Sequence, residues 1–296
     1  MTDGEGGTIG FIGLGIMGKP MALNLLAAGY PLTVHSRSPG PVDEVFARGA
    51  TRASGPDEVA AASDITITML PDTGDVELVL TGGGGVLDGI SAGALVIDMS
   101  SIDPAPTRAM AEVFAKRDVA MVDAPVSGGE RGAIDGTLSI MIGGEPDAVA
   151  RAMPIFEVLG KTIVHVGPSG AGQVTKACNQ LVVAATIEAV AEALLLAERS
   201  GVDPGKVREA LLGGFAGSKI LEVHGQRMLD RAFDPGFRIR LHRKDARIVE
   251  NAARTTGTPI PSFAVVAAQL QRALDDGDGE LDHSGLYVEL ERMPSG

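Results

Sequence analysis

The chain is predicted to be α/β: a doubly wound, mostly parallel sheet followed by an all-α domain entered through one long helix. Three observations predict this. Short runs rich in Val and Ile alternate with helical stretches as far as Gly167. A glycine-rich turn follows the first of those runs. Beyond Gly167 no strand-like run of comparable quality recurs, and the pattern becomes helical.

The expected strands are Thr8–Ile12, Pro31–Ser36, Asp64–Leu70, Ala94–Met99, Val119–Val126, Leu138–Ile142 and Thr162–Val166. Most are apolar at consecutive positions, as strands covered on both faces are. Helices are expected at Pro20–Ala28, Val42–Arg48 and Pro104–Arg117 between them. In the second half Gly172–Ser200 reads as one helix stopped by Gly201. Asp203-Pro204 reads as an N-cap with Pro at the first helical position. Further helices are expected at Lys206–Leu212, Lys219–Leu229, His242–Arg254, Ser262–Leu274 and Ser284–Arg292. The expected domains are 1–167, for dinucleotide binding, and 168–296, for substrate and oligomerisation.

Composition narrows the function. The chain has 296 residues and a net charge of −13, which argues against a duplex DNA or anionic-membrane binder. Ten basic and 21 acidic residues fall before residue 168, and 15 basic and 17 acidic after it. Trp is absent and aromatic residues are few, against a base-stacking RNA surface. The single cysteine, Cys178, excludes an internal disulfide and a Cys-rich zinc module, and is expected in the core. The five histidines are scattered without a metal-ligand spacing, so no metal is expected. Met1–Gly7 is polar and acidic, unlike a signal peptide. The apolar stretch Leu181–Ala197 is interrupted by Thr186, Glu188 and Glu192, which argues against a membrane span. A cytoplasmic protein is expected. Arg227–Arg254 holds eight basic and four acidic residues, read either as a solvated helix face or as a basic wall facing an anion.

Gly13-Leu14-Gly15-Ile16-Met17-Gly18 matches G-x-G-x-x-G in the context that gives it meaning, after a strand and at the opening of a helix. Gly13 allows the tight turn, Gly15 a close approach to a pyrophosphate, and Gly18 close helix–strand packing. Together these features define a Rossmann domain. At the end of the second strand Ser36-Arg37 stands where NAD-specific sites usually carry a carboxylate. Ser and Arg suit a 2′-phosphate, so NADP(H) is favoured, with NAD(H) as the alternative if Arg37 merely stacks on adenine. Gly82–Gly85 lacks a following Lys-Ser or Lys-Thr and reads as a turn. Gly167 and Gly172 have phosphate-loop spacing, but Gln173 replaces the lysine.

Two further segments carry candidate chemistry. Asp123-Ala124-Pro125-Val126-Ser127-Gly128-Gly129 closes the fifth expected strand, where ligands of open α/β sheets bind. Ser127, Gly128 and Gly129 offer a hydroxyl and unhindered N–H groups to a carboxylate. On the long helix Lys176, Asn179 and Gln180 fall at i, i+3 and i+4, on one face. A partly buried lysine there can exchange its proton near neutral pH.

These motifs in this order resemble the β-hydroxyacid dehydrogenase family over about Ile9 to Arg292. They are Gly10 to Gly18, Met69-Leu70-Pro71, Asp123 to Gly129, Gly172 to Asn179, and Lys244-Asp245. Ile134 to Ser139, Ala216-Gly217-Ser218, Pro235 to Ile239 with Leu241-His242, and Asp282-His283-Ser284 are similar to its tartronate semialdehyde reductase branch. The resemblance implies reduction of a short semialdehyde to a hydroxy acid. Dehydrogenation of 3-hydroxyisobutyrate or reduction of glyoxylate or succinic semialdehyde are alternatives, as is a non-catalytic dinucleotide-binding module. Lys176 counts against that module and against an imine reductase.

The resemblance also implies roles. The glycine turn, Arg37, Leu70, Pro71 and Ser101 would hold the cofactor. Ser127, Gly128 and Gly129 would grip the substrate carboxylate. Lys176 would be the catalytic acid/base, and Lys244, beside Asp245, would close over cofactor and substrate. Many members carry the helper Asn four residues after the lysine, where this chain has Gln180, so which amide orients the substrate stays open. Arg240 and Arg243 are additional basic residues of unassigned effect. A homodimer or homotetramer is implied.

Overall fold

Ile9-Gly10-Phe11-Ile12 carries no polar side chain and forms a fully buried strand, β1 (Ile9–Ile12). The computed structural model describes residues 7–294 and divides into two compact units, Met1–Lys176 and Ala177–Gly296. The first unit is built on one sheet with β2 (Leu32–His35), β3 (Thr51–Arg52), β4 (Ile65–Thr68), β5 (Leu95–Asp98), β6 (Ala120–Asp123), β7 (Val126–Ser127), β8 (Leu138–Gly143) and β9 (Gly160–Gly167). Its order is β3-β2-β1-β4-β5-β6-β8-β7, with β9 added to β8. The first six strands are parallel in the doubly wound order 3-2-1-4-5-6. The strand order reverses between β1 and β4, so a crevice is expected at their carboxyl ends.

Neighbouring residues on each central strand serve opposite faces. Phe11, Ile97 and Val122 belong to one apolar layer with Leu25 and Phe156, while Ile12, Val96 and Met121 belong to a second with Leu80 and Phe114. Alternation of successive side chains across a pleated strand imposes this division. Each such side chain, buried fully, contributes roughly 1.5–3 kcal/mol. A sheet covered on both faces is the reason its strands read as continuous apolar runs.

Two strand expectations need correction. Val119–Val126 is two strands, not one, because Pro125 has no N–H to continue a ladder. Its carbonyl instead accepts from the Met141 N–H, and β7 runs antiparallel to β8. Thr51–Arg52 is an added edge strand of two exposed residues, too short to leave a pattern. Helices at Pro56–Ala61, Thr73–Thr81, Val86–Gly89, Gly129–Asp135 and Pro146–Leu159 are also additional.

The second unit contains helices Pro204–Leu212, Lys219–Leu229, Ile239–Thr256, Pro261–Asp275 and Leu286–Arg292, with most of the long helix Ala171–Arg199. Asp203 caps its helix through the Gly205 N–H, and Ser218 caps the next through the Leu221 N–H. Ala184, Ile187, Ala191 and Leu194 of the long helix pack into a core with Leu221, Phe263, Leu270 and Tyr287. By length and composition alone the long helix would suffice to cross a membrane, as the core helix of a folded domain can. Its place in this core accounts for that apolarity. Cys178 is exposed on this helix, not in the core.

Glu188 of the long helix is a buried carboxyl beside that core, 4% exposed. Burial, and then Glu192, push its carboxyl up to about 7, against the pull of Gln269 and Arg272. Because the folded value lies above the ordinary one, this contribution to stability is complete below about pH 4.5. It is lost as pH rises through about 7, a difference on the order of 3 kcal/mol. Glu188→Gln is therefore expected to raise Tm by several degrees at pH 8 and to leave it unchanged at pH 5. Thermal denaturation at both pH values checks this, and an equal change at both would show that the carboxyl does not titrate.

Candidate functional site

The glycine turn sits at the carboxyl end of β1. Gly13 has φ +99°, and a Cβ there would collide with the carbonyl oxygen of Met69 at the end of β4. A Cβ on Gly18 would strike the carbonyl oxygen of Gly13. Gly15 differs, since it is exposed and a Cβ added to it meets nothing within 4 Å. The protein itself leaves that face open. The turn is held by the Gly13 N–H on the His35 carbonyl, 3.0 Å, and the Leu14 N–H on the Ser36 hydroxyl, 3.4 Å. Ile16 is exposed and Met17 half-buried before the helix Gly18–Ala27. This geometry fits a dinucleotide pyrophosphate: a backbone open at Gly15 and a helix N-terminus beyond it.

Of the other expected cofactor residues, Arg37, Leu70, Pro71 and Ser101 lie in this unit. Arg37 is 78% exposed and lies 3.3 Å from Asp75, a carboxylate not singled out in the sequence. Leu70 is fixed by its N–H on the Ser100 hydroxyl, 2.9 Å, and Pro71 follows it, exposed. Ser101 is half-buried next in the chain. Gln173 is wholly structural: it donates to the Ser100 carbonyl, 2.8 Å, and accepts from the Ile102 N–H, 3.1 Å.

Asp123, at the end of β6, accepts from the N–H groups of Gly170 (2.6 Å) and Gln173 (3.0 Å) at the start of the long helix. Burial pushes its carboxyl up to about 6, and Asp98 on the adjacent strand adds to this, against those two hydrogen bonds. Gly172 leaves no room for a side chain, since a Cβ would meet the Met141 carbonyl. One turn on, Lys176 donates from Nζ to the Val126 carbonyl, 2.9 Å. The ammonium group thus stands beside the strand that ends in Ser127, ahead of Gly128 (φ +135°) and Gly129 (φ +61°). The structure brings together Lys176 and Val126, 50 residues apart in sequence, at the entry to the Ser-Gly-Gly turn.

Asn179, Gln180, Lys244 and Asp245 lie in the second unit. Gln180 is buried and spends both ends of its amide: Oε1 accepts from Asn179 Nδ2, 2.8 Å, and Nε2 donates to Asp245, 2.5 Å. The other oxygen of Asp245 pairs with Lys244, 2.7 Å. Gln180 is therefore a buried link between Asn179 and the Lys244–Asp245 pair, while half-buried Asn179 keeps its side-chain carbonyl for other use.

The basic stretch is largely neutralised within the same unit. Arg231 pairs with Glu291, Arg238 and Arg240 with Glu280, and Arg243 with Glu250. Arg240 and Arg243 thus have local partners. Gly82–Gly85 is a turn, the Gly85 N–H bonding to the Gly82 carbonyl.

A Rossmann sheet carrying an open glycine turn, with a lysine held beside a Ser-Gly-Gly turn, is the framework of a nicotinamide-dependent oxidoreductase. Residues 8–167 match the NAD binding domain of 6-phosphogluconate dehydrogenase, and residues 170–290 the NAD-binding domain of NADP-dependent 3-hydroxyisobutyrate dehydrogenase. The chain is 48% identical to 2-hydroxy-3-oxopropionate reductase of Escherichia coli, over 96% of this chain and 97% of that protein. It is 36% identical to the NAD-dependent L-serine dehydrogenase of Pseudomonas aeruginosa, over 93% and 95%. The solved Mycobacterium tuberculosis 3-hydroxyisobutyrate dehydrogenase with L-serine superposes with a TM-score of 0.89 at 32% identity, covering 97% and 99%. The chain belongs to the β-hydroxyacid dehydrogenase family and is an oxidoreductase.

The two glycines separate fold from binding. Gly18→Ala is expected to lower Tm by several degrees because the backbone must move. Gly15→Ala is expected to leave Tm unchanged while weakening NADPH binding at least tenfold. Melting curves and fluorescence titration check both, and unaltered binding by the Gly15 variant would remove the turn from the cofactor site.

Proposed function

We propose that the chain reduces tartronate semialdehyde (2-hydroxy-3-oxopropanoate) to glycerate, with NADPH preferred and Lys176 as general acid/base. The observation that carries the chemistry is the 2.9 Å bond from Lys176 to Val126, which sets an ammonium beside Ser127, Gly128 and Gly129. The 48% identity to a 2-hydroxy-3-oxopropionate reductase supports the substrate.

The nicotinamide supplies the hydride when bound. The remaining work falls to this chain. Ser127 and the N–H groups of Gly128 and Gly129 grip the substrate carboxylate and fix the aldehyde carbon, supplying orientation. Lys176 stabilises charge growing on the carbonyl oxygen and delivers its proton there, help typically worth about 10²–10⁴-fold. Asn179 orients the substrate, and the Gln180–Asp245 link keeps its amide in place. Lys244 closes over cofactor and substrate. Arg37 supports the NADPH preference, because no carboxylate occupies position 36 to repel a 2′-phosphate. Its exposed pair with Asp75 is worth no more than ~1 kcal/mol and yields readily to a dianion. The setting we propose is a cytoplasmic homo-oligomer, supported by apolar Val182 and Leu196 left exposed on the long helix.

A second reading is dehydrogenation of a β-hydroxy acid such as 3-hydroxyisobutyrate or L-serine, supported by the names of the other relatives. Initial rates on tartronate semialdehyde, 3-hydroxyisobutyrate, L-serine and succinic semialdehyde, each with both cofactors, decide between them. Tartronate semialdehyde is expected to give the highest kcat/KM, and a higher value for another substrate transfers the assignment to it. Lys176→Ala is expected to lower kcat by 10²–10⁴-fold with NADPH binding retained. Arg37→Ala is expected to raise KM for NADPH and leave that for NADH; equal effects on the two would overturn the preference.

A further inference from the structure

Three of the five histidines, scattered in the sequence, meet in the second unit. His224 lies on the helix Lys219–Leu229, His242 on Ile239–Thr256, and His283 in the short turn His283–Gly285. The His283 ring stands 4.5 Å from His224 and 4.9 Å from His242, centroid to centroid. Its Nε2 faces His224 Nε2 at 3.2 Å, and its Nδ1 faces His242 Nδ1 at 3.1 Å. Buried Asp282 lies alongside, its Oδ1 3.5 Å from His224 Nδ1.

A neutral imidazole has one N–H and one lone pair. If His283 donates from Nδ1 to His242, its Nε2 lone pair points to His224. Two nitrogens on one tetrahedral zinc, at about 2.0–2.1 Å each, stand roughly 3.3 Å apart, close to the separation found here. Asp282 Oδ1 also accepts from the Ser284 N–H, 3.1 Å, and the Ser284 hydroxyl, 2.6 Å. One ligand atom from each of His224, Asp282 and His283 falls within 4.8 Å of the others.

The surroundings match what a metal site needs. His242 receives the second nitrogen of His283, and the Gly236 and Phe237 N–H groups hold Asp282 Oδ2 at 2.9 and 3.0 Å. Such outer partners fix the orientation of ligands. The His224 side chain is 20% exposed and gives an ion a way in. Arg227, 3.6 Å from Asp282, offsets the carboxylate charge. That disfavours hard cations held by charge and favours one held by imidazole nitrogen.

We propose that His224, His283 and Asp282 form a site for a divalent transition metal of the zinc class, which ties the Lys219–Leu229 helix to the segment that follows Leu281. None of the three is among the cofactor- or substrate-binding residues assigned above.

Cobalt titration of the chelator-treated full-length chain tests it, by visible d–d absorption and by calorimetry. The expected result is about one equivalent bound with tetrahedral bands, displaced by zinc, and a rise in Tm with zinc. His224→Ala should weaken binding at least tenfold and abolish the Tm rise, while His165→Ala, in the first unit, should change neither. If the alanine variant does not melt cooperatively, His224→Gln replaces it. Absence of saturable cobalt binding, or equal binding by the position-224 variant, overturns the site and leaves a hydrogen-bonded imidazole chain.

Discussion

The Asp123 carboxylate is the constraint on which the first unit's site depends. It closes the N-terminus of the longest helix in the molecule, taking two N–H groups that would otherwise be orphaned in a buried place. The helix register that places Lys176 is set there, one turn upstream. Together with the Gln173 side-chain bonds and the Lys176–Val126 bond, the cap holds the lysine beside the Ser-Gly-Gly turn. The arrangement costs something, since the carboxyl is raised to about 6 by burial. A charge is kept where the fold would prefer none, and the helix amides hold it there.

Glycine serves the same site by removal of volume. Gly13, Gly18 and Gly172 each occupy places where a Cβ would strike a backbone carbonyl. They let the turn, the helix and the long helix approach one another more closely than side chains permit. Gly15 serves no such packing, and its face is left open.

Six of the expected runs each gave one strand and Val119–Val126 gave two; the central strands were legible because burial on both faces leaves continuous apolar runs, whereas β9 is largely exposed and was legible from its Val and Ile content. The glycine turn was legible because its neighbours fixed its meaning. Helices such as Thr73–Thr81 and Pro146–Leu159 escaped because their apolar positions are few or broken by Pro154. The roles of Asp123 and Gln173 escaped for a different reason: each bonds to backbone groups far away in the chain, and no local pattern records a distant amide. The histidine cluster escaped likewise, since 41 and 59 residues separate His283 from its partners. Cys178 was misplaced because sequence gives a helix its apolar content but not the direction in which one small side chain points.

The exposure of Cys178 has a practical consequence. It is the sole thiol of the chain and lies two residues after Lys176 on the same helix. Residues at i and i+2 point away from each other, so a fluorophore attached there would project from the face opposite the lysine. The protein therefore carries a unique handle from which the environment of its central helix can be followed during turnover, without first removing any other cysteine.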